Sequence, residues 1–242
     1  MKHFIIVLFS LAFSGCAMQY GPTRTASDLG YVARPVLDKG ETAVNSFQLT
    51  GAYNSENGFN SNEVNQSIEV ATNYLIHRSN LGYSFGVFGY AGRYLIRSPE
   101  SRALYNHGFG ARMTVYKNVI VDRVRWRPYG LEASISYEGG EYFNFRSEVQ
   151  NEGSISRPSI DKWVPSIGVS SEVLILPEFL KYSSFGIRAT IGASFYQEVE
   201  KNLNAHELIV ISPFIGISRY SVFGNFRFDR RFGATIGGSI RF

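Results

Sequence analysis

The stretch Phe232-Gly233-Ala234-Thr235-Ile236-Gly237-Gly238-Ser239-Ile240-Arg241-Phe242 alternates without a break. Phe232, Ala234, Ile236, Gly238, Ile240 and Phe242 share one parity, and Gly233, Thr235, Gly237, Ser239 and Arg241 share the other. Successive side chains of a strand point to opposite faces, so this run is a strand with one apolar face and one small or polar face. The pattern recurs upstream. Phe185, Ile187, Ala189, Ile191, Ala193 and Phe195 oppose Gly186, Arg188, Thr190, Gly192, Ser194 and Tyr196, and Tyr129, Leu131, Ala133, Ile135 and Tyr137 face away from Glu132, Ser134, Ser136 and Glu138. No helical stripe of comparable length competes.

Working outward, the period of two runs from Ala43 to the end. It predicts strands at 43–54, 63–76, 81–95, 104–117, 125–138, 162–175, 183–197, 207–218, 220–228 and 231–242. An apolar face that runs through so many strands is what lipid contact requires. The expected fold is therefore all-β, an antiparallel transmembrane β-barrel of about ten strands; eight or twelve follow if the tight hairpins of 207–228 pair differently. With even parity both ends of the barrel domain (43–242) lie on one side. The short connections 77–80, 118–124, 176–182 and 219 then fall in the periplasm, and 55–62, 96–103, 139–161, 198–206 and 229–230 fall outside. The longest connection is external, as in this class. Pro213 removes a ladder donor inside a strand, which predicts a bulge there.

Composition agrees. Of the 242 residues 15% are aromatic and 24 are glycine, which suits an antiparallel barrel with aromatic girdles. Tyr53, Tyr94, Tyr105, Tyr137 and Trp163 are expected at the outer interface, and Phe47, Tyr74, Tyr83, Trp126, Tyr129, Phe185 and Tyr220 at the periplasmic one. Carbohydrate stacking is the sharper alternative for the outer set. The net charge of +4 does not predict nucleic-acid binding, because the arginines stand singly and form no basic stripe.

The other end is an export signal. Lys2 and His3 precede an apolar run, Phe4 to Phe13, too short to span a membrane as a helix, and small residues follow. Ser14-Gly15-Cys16 resembles a lipobox, which implies a signal peptide over 1–15 and a diacylglyceryl and palmitate-bearing Cys16. Cleavage after Ala17 is the other reading. A single cysteine excludes an internal disulfide. Residues 16–42 then read as a lipidated polar tether, with the acyl chains in the inner leaflet of the outer membrane. The terminal strand, ending on Phe242, resembles the signal by which outer-membrane barrels are recognised for assembly, and implies the assembly machinery as a partner. Pro35-Val36-Leu37-Asp38-Lys39-Gly40-Glu41 resembles a leader that precedes the barrel in poorly characterised Bacteroidetes-type barrel lipoproteins. That resemblance covers seven residues; it implies the same architecture and no catalytic residue.

The inward parity collects Glu69, Glu132 and Glu172 with Arg112, Arg188, Arg227 and Arg241. In a narrow barrel these side chains must interlock, because an isolated buried charge costs several kcal/mol. A barrel of about ten strands has an interior that side chains can fill, well short of the 16–18 strands of a diffusion porin. The expected function is that of a lipid-anchored, plugged barrel with a structural or surface-interaction role. The alternatives are a small gated pore for ions or solutes, a soluble lipocalin-like barrel, which charges on the small-residue face oppose, and a rim lipid-modifying hydrolase. For the last, His107 with Ser101, or His206 with Glu198, Glu200 or Glu207, are the only candidates, and no hydrolase motif surrounds them. No enzyme activity, cofactor or metal is expected; His77 lies at the periplasmic side, and no His/Cys pair has ligand spacing. Segment 139–161 reads as a solvated outer loop, with Phe143 and Phe145 as possible contacts for an extracellular partner.

Overall fold

A computed structural model describes residues 29, 32–34, 43–58, 63–78, 80–96, 101–151, 159, 161–178, 183–197, 203–228 and 232–242. The expected signal peptide, Cys16 and most of the expected tether lie outside these residues.

Ten long strands and one short one form a single antiparallel sheet. They are β1 (Ala43–Asn57), β2 (Glu63–Arg78), β3 (Leu81–Ile96), β4 (Arg102–Lys117), β5 (Val119–Val121), β6 (Val124–Gly139), β7 (Trp163–Ile175), β8 (Ser183–Gln197), β9 (Leu203–Ile217), β10 (Tyr220–Phe228) and β11 (Phe232–Arg241). Chain neighbours pair in order. β1 also pairs with β11 and β4 with β6, so the ten long strands close on themselves and β5 is a small hairpin arm beside β6. The barrel is the expected fold, with ten strands in the expected places. β9 begins earlier than the alternation of 207–218 suggests, because Leu203 to His206 continue the ladder against Gln197 to Ser194.

One end carries the short connections, both ends of the sheet and the tight Ser218-Arg219 turn, in which Ser218 adopts φ 54°. It is called the turn mouth here, and the opposite end, with the longer connections, the loop mouth.

The outer face is an apolar belt. Ile68, Val87, Ile191 and Ile236 are each about 60% exposed, which only a lipid environment satisfies at this density. Phe47, Tyr74, Trp126, Tyr129 and Tyr220 ring the turn mouth, and Tyr53, Tyr105 and Trp163 the loop mouth. Tyr94 departs from the expected girdle. It points inward and is fully buried, since it has the parity of Phe88 and Tyr90.

Two prolines behave differently from expectation. Pro213 makes no bulge: β9 and β10 pair at Phe214↔Phe223 and again at Ile211↔Phe226 in one register, so the missing donor leaves a gap without an inserted residue. The register shift lies at Pro128, between the pairs Arg127↔Glu172 and Gly130↔Ser170. One extra residue there reverses the parity of β6, and Arg127 turns inward although it stands five residues from the inward Glu132.

The connection 139–161 is not simply a solvated loop. It contains α1 (Glu141–Asn151), which starts after Gly140 at φ 105° and is held by the Tyr105 N–H donating to Glu141 Oε2 at 3.0 Å. Residues of the expected tether also leave their expected place. Leu29, Val32 and Arg34 are buried inside the barrel, where Gly130, Gly168 and Gly192 leave room for them. A Cβ on Gly168 would stand 2.9 Å from Leu29 Cδ1, and one on Gly192 2.8 Å from it.

Candidate functional site: the filled lumen

Inward positions of the strands supply carboxylates, arginines and amides, and the sheet brings them together in three groups along the axis. Nearest the turn mouth, Glu172 of β7 pairs with Arg127 of β6 and, at 3.3 Å, with Arg34. Arg34 also reaches Glu132 at 3.3 Å, and Glu132 pairs with Arg188. Three guanidinium groups thus share two carboxylates, all five side chains almost fully buried. Tyr116 lies beneath them. Its ring faces the Arg34 guanidinium at 4.2 Å and that of Arg127 at 5.3 Å, which spreads the excess positive charge over a π face. Its hydroxyl shares a 2.8 Å hydrogen bond with His77 Nδ1.

Midway, Arg112 pairs with Glu69 at 3.5 Å and its Nε donates to Asn73 Oδ1 at 3.0 Å. Toward the loop mouth, Arg227 pairs with Glu56, which accepts from Asn65 Nδ2 at 2.7 Å, and Asn65 in turn accepts from Asn106 at 3.1 Å. The cavity beside Glu56, Asn65 and Arg227 measures about 20 Å³, room for one water molecule.

α1 covers the loop mouth. Tyr142 stacks on Tyr94 with ring centroids 3.9 Å apart, and the Tyr94 hydroxyl donates to Glu63 at 2.6 Å. Arg146, fully buried, reaches Glu138 at 2.8 Å. Burial pushes the Tyr142 hydroxyl above the ordinary tyrosine range, so the ring enters this cap uncharged. Phe143 is buried and Phe145 half-buried, so neither is an outward apolar tip; Glu141, Asn144 and Glu148 form the exposed face of the helix.

Of the seven residues expected to interlock, Glu69, Arg112, Glu132, Glu172, Arg188 and Arg227 do so. Arg241 does not join them. It lies at the turn mouth and donates to the Ser218 carbonyl at 3.2 Å, because β11 ends there. Sequence reasoning missed Arg127, hidden by the bulge, and Arg34, hidden in a segment without strand periodicity. It also missed Glu56, Glu63 and Glu138, whose inward parity was legible.

The remaining candidates are scattered. His107 faces outward beside the Tyr105 ring, and His206 stacks on Tyr196 with centroids 4.6 Å apart. Glu198 and Glu200 lie outside the described residues. Among the described residues no group of three His, Cys, Asp or Glu could hold a metal ion. No helix among them is long and apolar enough to cross a membrane, which says nothing of the barrel strands. Phe242 is exposed, and its backbone N–H and C=O both bond Phe47, at 2.8 and 3.1 Å.

No family model matches the chain, and no curated protein matches it. Among solved structures it is similar to the β domain of the Bordetella autotransporter Brka, with TM-score 0.50 and 5% identity over 84% of this chain and 100% of that one. The translocator domain of autotransporter NalP from Neisseria meningitidis aligns with TM-score 0.43 and 8% identity over 84% of this chain and 90% of that one. The likeness to the Bordetella domain is one of fold: an outer-membrane-type β-barrel.

Proposed function

We propose that the chain is a lipid-anchored β-barrel of the bacterial outer membrane, closed by its own polar core and amino-terminal segment, with a structural or surface-interaction role. The observation that carries this reading is Arg34, held within 3.3 Å of both Glu132 and Glu172 inside the barrel. Water and ions need a continuous polar path, and here ion-paired side chains of nearby strands and of the segment occupy it. The terminal strand supports the assembly machinery as a partner, and the acidic outer face of α1, with Glu141 and Glu148, is the surface offered to an extracellular one. The outward aspect of His107 and the stacking of His206 favour a non-enzymatic role.

Planar-bilayer recording tests the reading. The intact chain is expected to insert without sustained conductance, and a variant lacking residues 29–34 to conduct. Sustained conductance by the intact chain would replace this reading with the small-pore alternative.

A further inference from the structure

The outward rows of β1 to β6 are not uniformly bulky. Thr72 of β2, Ala111 of β4 and Ala133 of β6 are small residues set among Phe47, Phe85 and Ile135, and between them the apolar belt sinks into a groove of about 580 Å³. That volume lies within the range of small-molecule pockets, about 300–1,000 Å³. Six residues nearer the turn mouth on the same strands stand two cations. Arg78 follows Thr72 with the same outward parity, and Lys117 follows Ala111 likewise. Leu81 pairs with Lys117, and the register of His77 with Gly82 carries on to set Arg78 on the other side of Leu81. Two strand spacings of ~4.8 Å put the backbones of Arg78 and Lys117 about 10 Å apart, a gap that their long side chains can close around one phosphate. Both are exposed, and among the described residues neither forms an ion pair or hydrogen bond. Arg123, at the next hairpin, already has a carboxylate in Glu178.

The depth of the groove matches one leaflet. Six residues extend about 20 Å along a strand at ~3.3 Å each, and a tilt of about 40° turns this into about 15 Å along the membrane normal. Half of a ~30 Å hydrocarbon core is the same distance. We infer that this face of the barrel is a binding site for one anionic phospholipid, whose phosphate lies between Arg78 and Lys117 and whose acyl chain fills the groove over Thr72, Ala111 and Ala133. The inference rests on the outer-membrane reading above, which turns this mouth to the periplasm and its phospholipid leaflet. Charge complementarity selects the occupant: two cations without a counter-ion stand where headgroups lie, directly beneath an apolar furrow. A second outer groove of about 570 Å³, beside Pro213, Gly224 and Ala234, has no such pair. Of the arginines at its end of the sheet, Arg219 lies 5.4 Å over the Tyr220 ring and Arg241 donates to the Ser218 carbonyl.

The test uses the full chain purified from membranes in a mild detergent, with faster gel migration before boiling as the check of folding. Phosphatidylglycerol and phosphatidylcholine of identical acyl chains are added as a mixture, and native mass spectrometry reads which lipid the barrel retains. The parent is expected to keep one phosphatidylglycerol in preference to phosphatidylcholine. The double variant Arg78→Gln, Lys117→Gln should lose that preference by roughly tenfold or more, the size expected of two surface cations facing an anionic lipid. Ala111→Phe fills the groove, leaves both cations and should weaken retention of phosphatidylglycerol as well. Equal retention of the two lipids by the folded parent, or undiminished retention of phosphatidylglycerol by either folded variant, would overturn the inference and leave the membrane reading standing. The comparison of lipids on the parent needs no substitution, so a variant that fails to fold does not remove the test. A parent that neither shifts on the gel nor inserts into vesicles of the same two lipids would overturn the membrane reading, and the inference with it.

Discussion

Glu172 is the residue on which the inner charge group depends most, since it faces both Arg34 and Arg127 with no exposure to solvent. Glu172→Ala leaves three guanidinium groups to the single carboxylate of Glu132. A buried pair broken on one side typically costs about 3–5 kcal/mol, and denaturant unfolding in detergent micelles is expected to register a loss of that size. Tyr94→Phe is a smaller change. It strips the buried Glu63 of one donor while keeping the stack on Tyr142, and a cost of about 1–3 kcal/mol is expected in the same assay. Most of this residue-level arrangement was legible in the sequence, because parity alone says which charges face inward. Arg241 shows the limit: parity gives the face but not the depth, and at a strand end an inward side chain reaches the rim, here the Ser218 carbonyl.

Among the elements, β6 carries the feature that period two could not reveal. The alternation from Leu131 to Tyr137 is clean, but carried back through Pro128 it assigns Arg127 to the lipid face. The bulge corrects that assignment locally, using the position where proline already lacks a ladder donor. Deleting Pro128 removes the one extra residue, so plain alternation then keeps Arg127 inward opposite Glu172 and Trp126 on the apolar belt. The expected outcome is a chain that still shows faster gel migration without boiling, and loss of that shift would mean that the bulge does more than set the parity of Arg127 and Trp126. α1 was illegible for a different reason. Its segment has few good helix formers and no long apolar face, and the helix is held by tertiary contacts at Tyr142 and Arg146 rather than by its own propensity. Tyr142→Ala removes the main contact with the barrel, and limited proteolysis of the purified protein should then cut within 141–151 at a rate well above that of the parent.

At the scale of the whole molecule, strand number, order and the sorting of short from long connections follow from alternation and parity. Lipid on one side and a narrow lumen on the other impose the same constraint on every strand, which makes the fold unusually readable. The amino-terminal segment escapes such a reading because its path is set by what the lumen lacks: Gly130, Gly168 and Gly192 leave a furrow, and nothing in residues 29–34 repeats. Filling that furrow with Gly168→Leu should displace Leu29, and the thermal midpoint of heat-modifiable migration is expected to fall while the barrel still forms. The seam between β1 and β11 gives the occupied lumen a temporal meaning. Phe242 is bonded on both backbone groups to Phe47, so the last strand is free to be read by other proteins only while that seam is open. The segment from Leu29 to Arg34 lies shortly before Ala43, the start of the first strand of the same seam, and a finished cylinder offers its bulky interior no easy entry. The sequence of events follows: the segment must already be lying in the curling sheet when the first and last strands meet, and closure is the moment that makes its position irreversible.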